Sequence, residues 1–364
     1  MKKKGTDVFD GLDAEAILTA AESCGVRSTG RVVQLNSMEN RVHAVEMDDG
    51  HVVVKFYRPG RWTKEMLLGE HALALLLQEE NISTPRYREI LDPALRVDPR
   101  AVFSEVFAPH IAWQGYNAGT LGKLGDFHFC VWEKVSGRAP LEMDTEDLRR
   151  AGRLVARMHN LFESGIRREA FPRPSLSTET YLLDALSYLE AWGRIPRTLE
   201  SLLFDAAENL LEGLRWMDDC MDFIPVHGDL HRLNLIQTQN GGDFWVVDFD
   251  DSVLGAEIQD LWLLASGCDI SSHVPEGSNL TSLDFLVEGY NTLRKLPSGS
   301  ERLVEPLRTL RMIHYMGWIA RRWDHDELFR STFSFFTTER YWEEALQDVE
   351  KQKELLEAEG LLEY

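Results

Sequence analysis

The chain is 364 residues long and 44% hydrophobic, which is enough for one large domain or two lobes with apolar cores. Its formal net charge of −21 argues against a nucleic-acid-binding protein, because such proteins carry a basic surface. No segment is apolar enough to span a membrane, and acidic residues interrupt the N-terminal stretch where a signal peptide needs an apolar core. The four cysteines form no CxxC pair, which indicates reduced thiols in a cytoplasmic protein.

The acidic charge lies mainly in the C-terminal part of the chain. Residues 1–135 carry 16 Lys and Arg against 19 Asp and Glu, whereas residues 136–364 carry 23 against 41. One interpretation is a well-solvated acidic surface. The other is a region that attracts a cationic substrate. The sequence leaves both open.

The N-terminal third predicts a small antiparallel sheet. A helix is expected over 13–24, and a strand at "RVVQL" follows it. The alternation in "NRVHAVEM" and "HVVVKFY", joined by Asp49-Gly50, predicts a β-hairpin. Apolar residues at helical spacing in "KEMLLGEHALALLLQEE" predict a helix after the hairpin. The other segments typical of strands are "RYREIL" (86–91) and "FHFCVWEKV" (127–135).

Residues 91–126 interrupt this pattern with several closely spaced glycines, so we expect a long surface excursion there. "VSGRAPLEM" is typical of a linker. Helical patterns then run over 144–163, 178–190, 199–220, 281–296, 303–323 and 338–357. Strands first and helices later predict an α+β fold, with a β-rich lobe over 1–135 and a larger α-rich lobe over 136–364.

Two segments carry the candidate chemistry. "VHGDLHRLNLI" places Asn234 five residues after Asp229, and "FWVVDFDD" ends in a run of carboxylates that begins with Asp248. Phosphoryl transfer from ATP needs a carboxylate that holds the acceptor hydroxyl and hard oxygen ligands for Mg²⁺. Either aspartate alone could equally be a structural loop residue. Together, at this spacing, they favour a phosphotransferase.

The spacing matches the kinase signature H-R-D-L-x-x-x-N followed by D-F-G. Here Gly228 replaces the Arg, and Asp250 replaces the last Gly. We interpret His227 as a structural residue that hydrogen-bonds the loop backbone rather than as an acid or base.

Lys55 lies inside the apolar strand "VVVKFY", where an unpaired lysine would be costly. A functional interpretation gives it the nucleotide phosphates and Glu70 on the next helix as its partner, with Glu65 as the alternative partner. The structural alternative is a lysine that reaches solvent from an edge strand. No glycine-rich loop is present, but "LNSMENRV" offers Ser37 and asparagine side chains as possible phosphate donors.

The motifs resemble a known group of enzymes. "VHGDLHRLN", "VVDFDD" and "EIQDLW", which contains Asp260, look like the aminoglycoside phosphotransferase/choline kinase superfamily. More narrowly, "LNSMENRV", "VVVKFYRPGRWT", "EPLRTLRM" and "GWIARRWDHD" are similar to the stress response kinase A family of the YihE/RdoA type. The matches run from about residue 30 to 342. The resemblance implies a protein-kinase-like two-lobed fold, in which an ATP cleft lies between a small antiparallel sheet with one packed helix and a larger helical lobe.

The resemblance also implies an ATP- and Mg²⁺-dependent serine/threonine protein kinase of the cytoplasm that acts on proteins and on itself. Asp229 matches the proton acceptor, and Asn234 and Asp248 match the metal ligands, with Asp248 also counted as catalytic. The expected nucleotide site comprises Ser37, Lys55, Glu70, and the hinge residues Glu133 and Val135. We expect a monomer that binds neither nucleic acid nor membranes.

Autophosphorylation would need accessible hydroxyl groups. Candidate Ser and Thr residues lie in the loop-like stretches 175–180 and 271–282.

Two other functions remain open at this point. A small-molecule kinase for aminoglycosides, choline or a similar alcohol would share the same motifs, and an acidic C-terminal part would suit a cationic acceptor. A non-catalytic ATP-binding regulator is the second alternative, although it would have no need to keep the base.

Overall fold

The computed structural model describes residues 7–112, 119–220, 222–238, 244–274 and 278–363. The chain has an α+β fold, as predicted, and divides into two compact units. The larger unit comprises Phe9–Arg173 and Ile224–Leu296, and the smaller one is built mainly from 174–223 and 297–363. The lobe boundary between residues 135 and 136 stays a prediction.

A five-stranded antiparallel sheet lies in the larger unit. Its strands are β1 (Ser28–Leu35), β2 (Arg41–Met47), β3 (Gly50–Phe56), β4 (Leu121–Leu124) and β5 (Phe127–Glu133). They are arranged in the order β1-β2-β3-β5-β4, and the predicted hairpin of β2 and β3 is confirmed. Because β3 is the central strand and its residues 52–56 are all buried, its Lys55 side chain is carried into the interior.

The remaining strands are short and also belong to the larger unit. They are β6 (Ile224–Val226), β7 (Leu235–Ile236), β8 (Trp245–Val246) and β9 (Val253–Gly255). β6 pairs with β9, and β7 pairs with β8. These two ladders place the segments that follow β6 and β8 next to each other.

Most predicted helices are present. The helices are α1 (Ala14–Glu22), α2 (Lys64–Glu79), α3 (Arg100–Val106), α4 (Thr145–Gly165), α5 (Asp184–Trp192), α6 (Arg197–Leu214), α7 (Trp216–Cys220), α8 (Ile258–Ser266), α9 (Ser282–Tyr290), α10 (Val304–Trp323), α11 (Glu327–Thr332) and α12 (Glu339–Ala358). Sequence analysis missed α3, α8 and α11, which are short. In α8 nearly every residue is buried, so the helix shows no polar face to reveal its period. Within the described residues, no helix has the length and apolar character needed to cross a membrane.

Helix α2 is the helix packed against the sheet. Its first turn is capped by the Thr63 side chain, which accepts a hydrogen bond from the amide of Met66. Residues 67–77 are all buried, so this helix is enclosed on every side rather than amphipathic. Such enclosure carries the charged Glu70 into the core together with its apolar neighbours.

The expectation of a surface excursion over 91–126 is wrong for two of its stretches, which form regular structure. This segment contains α3, in which Phe103 and Val106 are buried, and the edge strand β4. One of the glycines that suggested a loop serves packing instead: a Cβ on Gly122 would lie 2.3 Å from the ring of Phe129. Residues 113–118 lie outside the described residues.

The strand expected at 86–91 is also wrong. The segment makes an isolated bridge between Tyr87 and Trp132, and the amide of Arg88 bonds the carbonyl of Val131 at 2.8 Å. Its β-like composition reflects this contact with β5, but no continuous ladder forms.

The smaller unit is helical and has an aromatic core. Phe336 is fully buried among three tryptophans, with ring-centroid separations of 5.2 Å to Trp192, 5.6 Å to Trp323 and 5.0 Å to Trp342. Such clusters bury a large apolar area per residue.

Helices α4 and α9 of the larger unit cross at backbone contact. A Cβ on Gly152 of α4 would lie 2.1 Å from the carbonyl oxygen of Leu286, and one on Gly289 of α9 would lie 2.1 Å from that of Arg149. Only glycine permits this approach from either side. The crossing fixes α4, whose His159 contacts Asp260 at the start of α8.

We therefore expect Gly289→Ala to destabilise the protein by about 1–3 kcal/mol through overpacking, even though alanine favours helix. Gly267→Ala is the matched control, since its Cβ would meet no atom closer than 3.8 Å. Urea denaturation of the two variants measures the difference. A Gly289→Ala protein as stable as the control would contradict this close helix crossing.

Candidate active site

A buried lysine forms the centre of the candidate site. Lys55 on β3 is 2% exposed, and its Nζ lies 3.2 Å from Glu70 Oε1, 3.1 Å from Asp248 Oδ1 and 3.2 Å from Asp250 Oδ1. The predicted contact between Lys55 and Glu70 is confirmed. The alternative partner, Glu65, has a half-exposed side chain and pairs with neighbouring Lys64 at 3.6 Å.

Burial and charge act on this cluster in opposite directions. Burial alone would lower the pKa of Lys55, but the three carboxylates outweigh it and raise that pKa well above its usual value. Burial raises the pKa of Glu70 to about 7, and Lys55 is the main group that opposes this rise. Removal of the ammonium would therefore favour a protonated Glu70.

A polar chain behind Glu70 holds its carboxylate in place. The Tyr57 hydroxyl lies 3.2 Å from Glu70 Oε1 and 2.9 Å from His71 Nε2. His71 Nδ1 lies 2.7 Å from the Thr120 hydroxyl. Burial lowers the pKa of His71 to about 3, so the ring is neutral and adds no charge to the cluster.

Asp260 shapes the loop that carries the other predicted residues. This aspartate, at the start of α8, accepts hydrogen bonds from the amides of His227 and Gly228, both at 2.9 Å, and contacts His159 Nε2 at 3.1 Å. His227 Nε2 lies 3.0 Å from the Val247 carbonyl oxygen, which confirms the structural role predicted for it.

Gly228 replaces the arginine of the kinase signature for a visible reason. It has φ of 81°, and a Cβ there would lie 2.2 Å from the carbonyl oxygen of Asp251. Any other residue would push apart the two motif segments.

The β7–β8 ladder brings the predicted metal ligands into adjacent segments. The Val247 amide bonds the Asn234 carbonyl at 3.0 Å, and Asp248 follows directly in the chain. Asn234 Nδ2 donates to the carbonyl oxygen of Asp229 at 2.9 Å, which leaves the amide oxygen as the potential ligand atom. Asp248 adopts a left-handed backbone with φ of 65°, and its side chain is 51% exposed.

The other predicted residues lie at the ends of sheet strands. Ser37 follows β1, is half-buried, and its hydroxyl accepts from the amide of Asn40 at 3.3 Å. Glu133 is the exposed last residue of β5, and Val135 follows two residues later. Their roles in nucleotide binding stay predictions.

Sequence analysis missed two basic residues of this region. Arg61 forms ion pairs with Asp250 and Asp251, and Arg173 donates to the backbone carbonyl of Ser252 at 2.9 Å. A signal was present: three carboxylates in "DFDD" cannot sit together near the core without cations to compensate them.

Comparison with known proteins agrees with this geometry. The model of the phosphotransferase enzyme family, APH, matches residues 31–280. Stress response kinase A of Escherichia coli (strain K12) is 29% identical over 337 residues, which cover 92% of this chain and 90% of that protein. The protein named serine/threonine protein kinase RdoA of Salmonella typhimurium is 28% identical over 351 residues, covering 96% and 94%. The resemblance to stress response kinase A is thus confirmed.

Two solved kinase structures share the fold. Amicoumacin kinase hAmiN, in complex with AMP-PNP, Ca²⁺ and Ami, has a TM-score of 0.62 at 17% identity and 94% coverage of both chains. A microcompartment-associated aminopropanol kinase has a TM-score of 0.63 at 19% identity, covering 96% of this chain and 99% of that one. Because the family model spans more than half of the chain and includes the lysine–carboxylate cluster, the protein belongs to the phosphotransferase enzyme family and is a kinase.

Proposed function

We propose that the protein transfers the γ-phosphoryl group of ATP, with Mg²⁺, to serine or threonine hydroxyls of proteins. The observation that carries this proposal is the Lys55 ammonium, which lies within 3.2 Å of carboxylates from Glu70 and Asp248. A lysine paired with a helix glutamate and the metal-binding aspartate is the arrangement that phosphoryl transfer requires. The structural alternative, in which Lys55 reaches solvent from an edge strand, is wrong because the side chain is buried.

Each residue has a distinct role in this proposal. Lys55 binds nucleotide phosphates, and Glu70 holds the ammonium in position. Asp229 accepts a hydrogen bond from the acceptor hydroxyl and takes its proton as the phosphoryl group transfers. Its side chain is 22% exposed, and its Oδ2 lies 3.6 Å from His231 Nε2.

The residues present fit a divalent metal ion that also binds the nucleotide. The described residues contain no group of three or more His, Cys, Asp or Glu side chains that could hold a metal on their own. Mg²⁺ usually takes one or two carboxylates and completes its shell with water and phosphate oxygens. Asp248 and the amide oxygen of Asn234 provide hard oxygens of this kind, and the ion would neutralise phosphate charge.

Support for a protein acceptor comes from the relatives. The Salmonella protein is named a serine/threonine protein kinase and is covered over nearly its whole length. Ser37, Glu133 and Val135 would complete the ATP site, as the resemblance to the stress response kinase A family implies. Among the side chains that the structure describes, Cys24, Cys130 and Cys268 are free thiols, which accords with a reducing cytoplasmic setting. We also propose that the protein is a monomer.

An acidic cavity supports acceptors that carry basic residues. It has a volume of about 530 Å³ and lies in the smaller unit between α5 and α6, where apolar and charged side chains line it together. Its charged lining comprises Glu190, Glu200, Glu208, Glu212 and Arg215. This excess of carboxylates would attract a basic segment.

The candidate autophosphorylation sites need a correction. Thr178 is 3% exposed and donates to Asp218 Oδ2 at 2.5 Å, so 175–180 is not an open loop. Ser271 and Ser272 are exposed and stay candidates, whereas 275–277 lie outside the described residues.

Incubation of the purified protein with labelled Mg-ATP tests this function. We expect phosphate on its own Ser or Thr residues and on a generic basic protein. Transfer to an acidic peptide should be weaker, and added salt should reduce the difference between the basic and the acidic acceptor. Mass spectrometry locates the label. Rapid phosphorylation of an amino alcohol from a parallel panel, without any protein labelling, would replace this proposal with a small-molecule kinase.

Asp229→Asn should lower turnover by about 10²–10⁴-fold, because the amide cannot take the proton. Nucleotide affinity should change little, since this side chain serves the acceptor. Asp126→Asn, at an exposed turn, is the control. Turnover and nucleotide binding by calorimetry are measured on both proteins. A parallel loss of affinity and turnover would rule out the role of base.

Asp248→Asn should weaken Mg²⁺-dependent nucleotide binding by at least about tenfold, because a metal-bound carboxylate is lost. Asparagine tolerates the left-handed backbone at this position, so the turn should keep its shape. Titration of an ATP analogue with and without Mg²⁺ isolates the metal-dependent part. Unchanged binding in the presence of Mg²⁺ would show that Asp248 is not a ligand.

A further inference from the structure

The turn over 248–252 is held in an unfavourable conformation. Asp248 has φ of 65° and ψ of 69°, a region that costs energy for any residue with a Cβ. Such a conformation persists only where the surrounding contacts determine it. Lys55 supplies one contact, to the Asp248 carboxylate at 3.1 Å. That contact would compete with a metal ion for the same oxygen, so the turn needs other supports.

Arg61 provides a support from the segment between β3 and α2. Two nitrogens of its guanidinium pair with different carboxylates: Nη1 pairs with Asp250, and Nη2 pairs with Asp251. Its Nε also lies 3.7 Å from Glu39 Oε1, in the loop that follows β1. The Arg61 side chain is only 11% exposed, so these charges interact with little screening by water.

Trp62 and Arg173 reinforce the same turn. The Trp62 ring contacts two guanidinium groups, with its centroid 4.8 Å from that of Arg61 and 4.2 Å from that of Arg173. Arg173 donates to the carbonyl oxygens of Phe249, Asp250 and Ser252. The two arginines that contact Trp62 therefore bind different groups of the turn: Arg61 binds its carboxylates, and Arg173 binds its backbone carbonyls.

Asp250 is committed to cations of the protein itself. One of its oxygens lies 3.2 Å from Lys55 Nζ, and the other pairs with Arg61. It is 2% exposed, which leaves no open side for an additional ligand.

We propose that Arg61 is a positioning residue for the metal-binding turn, and that Asp250 is its buried counter-ion rather than a metal ligand. This inference rests on the proposed function. Through Asp250 and Asp251, Arg61 keeps the Asp248 carboxylate aimed outward when Lys55 moves its contact to nucleotide phosphate. The planar guanidinium is suited to this task because it bridges two carboxylates at fixed separation.

Arg61→Met tests the proposal, because it keeps an unbranched side chain but removes the guanidinium and its charge. The Mg²⁺ concentration for half-maximal turnover should rise by about 10–100-fold, the range seen when groups that orient a metal ligand are lost. The KM for the acceptor should stay unchanged. Arg61→Lys should recover part of the Mg²⁺ affinity, since it restores a charge beside Asp250. Arg100→Ala, which removes an exposed arginine paired with Asp98, is the control.

Asp251→Asn is a second test that remains valid if the Arg61 variants fold poorly. The Asp251 side chain is 43% exposed, and its neutralisation leaves the buried Arg61 still paired with Asp250. It should raise the Mg²⁺ requirement in the same direction but less. An unchanged Mg²⁺ requirement in both Arg61→Met and Asp251→Asn would overturn the proposal.

Hydrogen–deuterium exchange of the nucleotide-free protein separates this inference from the proposed function. The Ser252 amide bonds the Phe249 carbonyl at 3.0 Å, and its exchange should speed up at least about tenfold in Arg61→Met but not in Arg100→Ala. This readout needs no ATP. If the wild-type protein failed to use Mg-ATP, the proposed function would be wrong. Exchange of the Ser252 amide would still test whether Arg61 holds the turn. Unchanged exchange in an active enzyme would overturn the positioning role alone.

Discussion

One buried ammonium group organises the larger unit. Lys55 lies on the central strand of the sheet, where its charge cannot reach water, so carboxylates must come to it. Glu70 comes from the enclosed helix α2, while Asp248 and Asp250 come from a segment almost 200 residues further along the chain. The surplus of carboxylates then requires Arg61 as a further cation. Sheet, helix and catalytic turn are therefore joined by charge compensation as well as by apolar packing.

A second constraint fixes the loop that carries Asp229 and Asn234, the predicted base and the predicted metal ligand. Asp260 is fully buried and accepts from two consecutive backbone amides and from His159 of α4. The glycine crossing of α4 with α9 holds that histidine in place. Gly228 lets the loop pass against the Asp251 carbonyl. These contacts hold the loop that carries Asp229 and Asn234, so the spacing of the two residues in the sequence becomes a defined spacing in the structure.

Sequence alone predicted much of this arrangement. The hairpin, the enclosed helix and the Lys55–Glu70 pair follow from alternation, helical spacing and the cost of a buried lysine. The segment 91–126 was misread because glycines that permit close packing, such as Gly122, look like glycines that permit turns. The pairing of Arg61 with Asp250 joins residues 189 positions apart, and local periodicity carries no information on contacts of that kind.

A crystal structure with Mg²⁺ and a non-hydrolysable ATP analogue tests the central claim most directly. The account predicts phosphate oxygens in contact with Lys55 Nζ, the ion on Asp248 and Asn234, and Glu70 still paired with the lysine. It also predicts that Asp250 stays with Arg61. A nucleotide bound elsewhere, with Lys55 still enclosed by its three carboxylates, would contradict the assignment of this cluster as the phosphoryl-transfer centre.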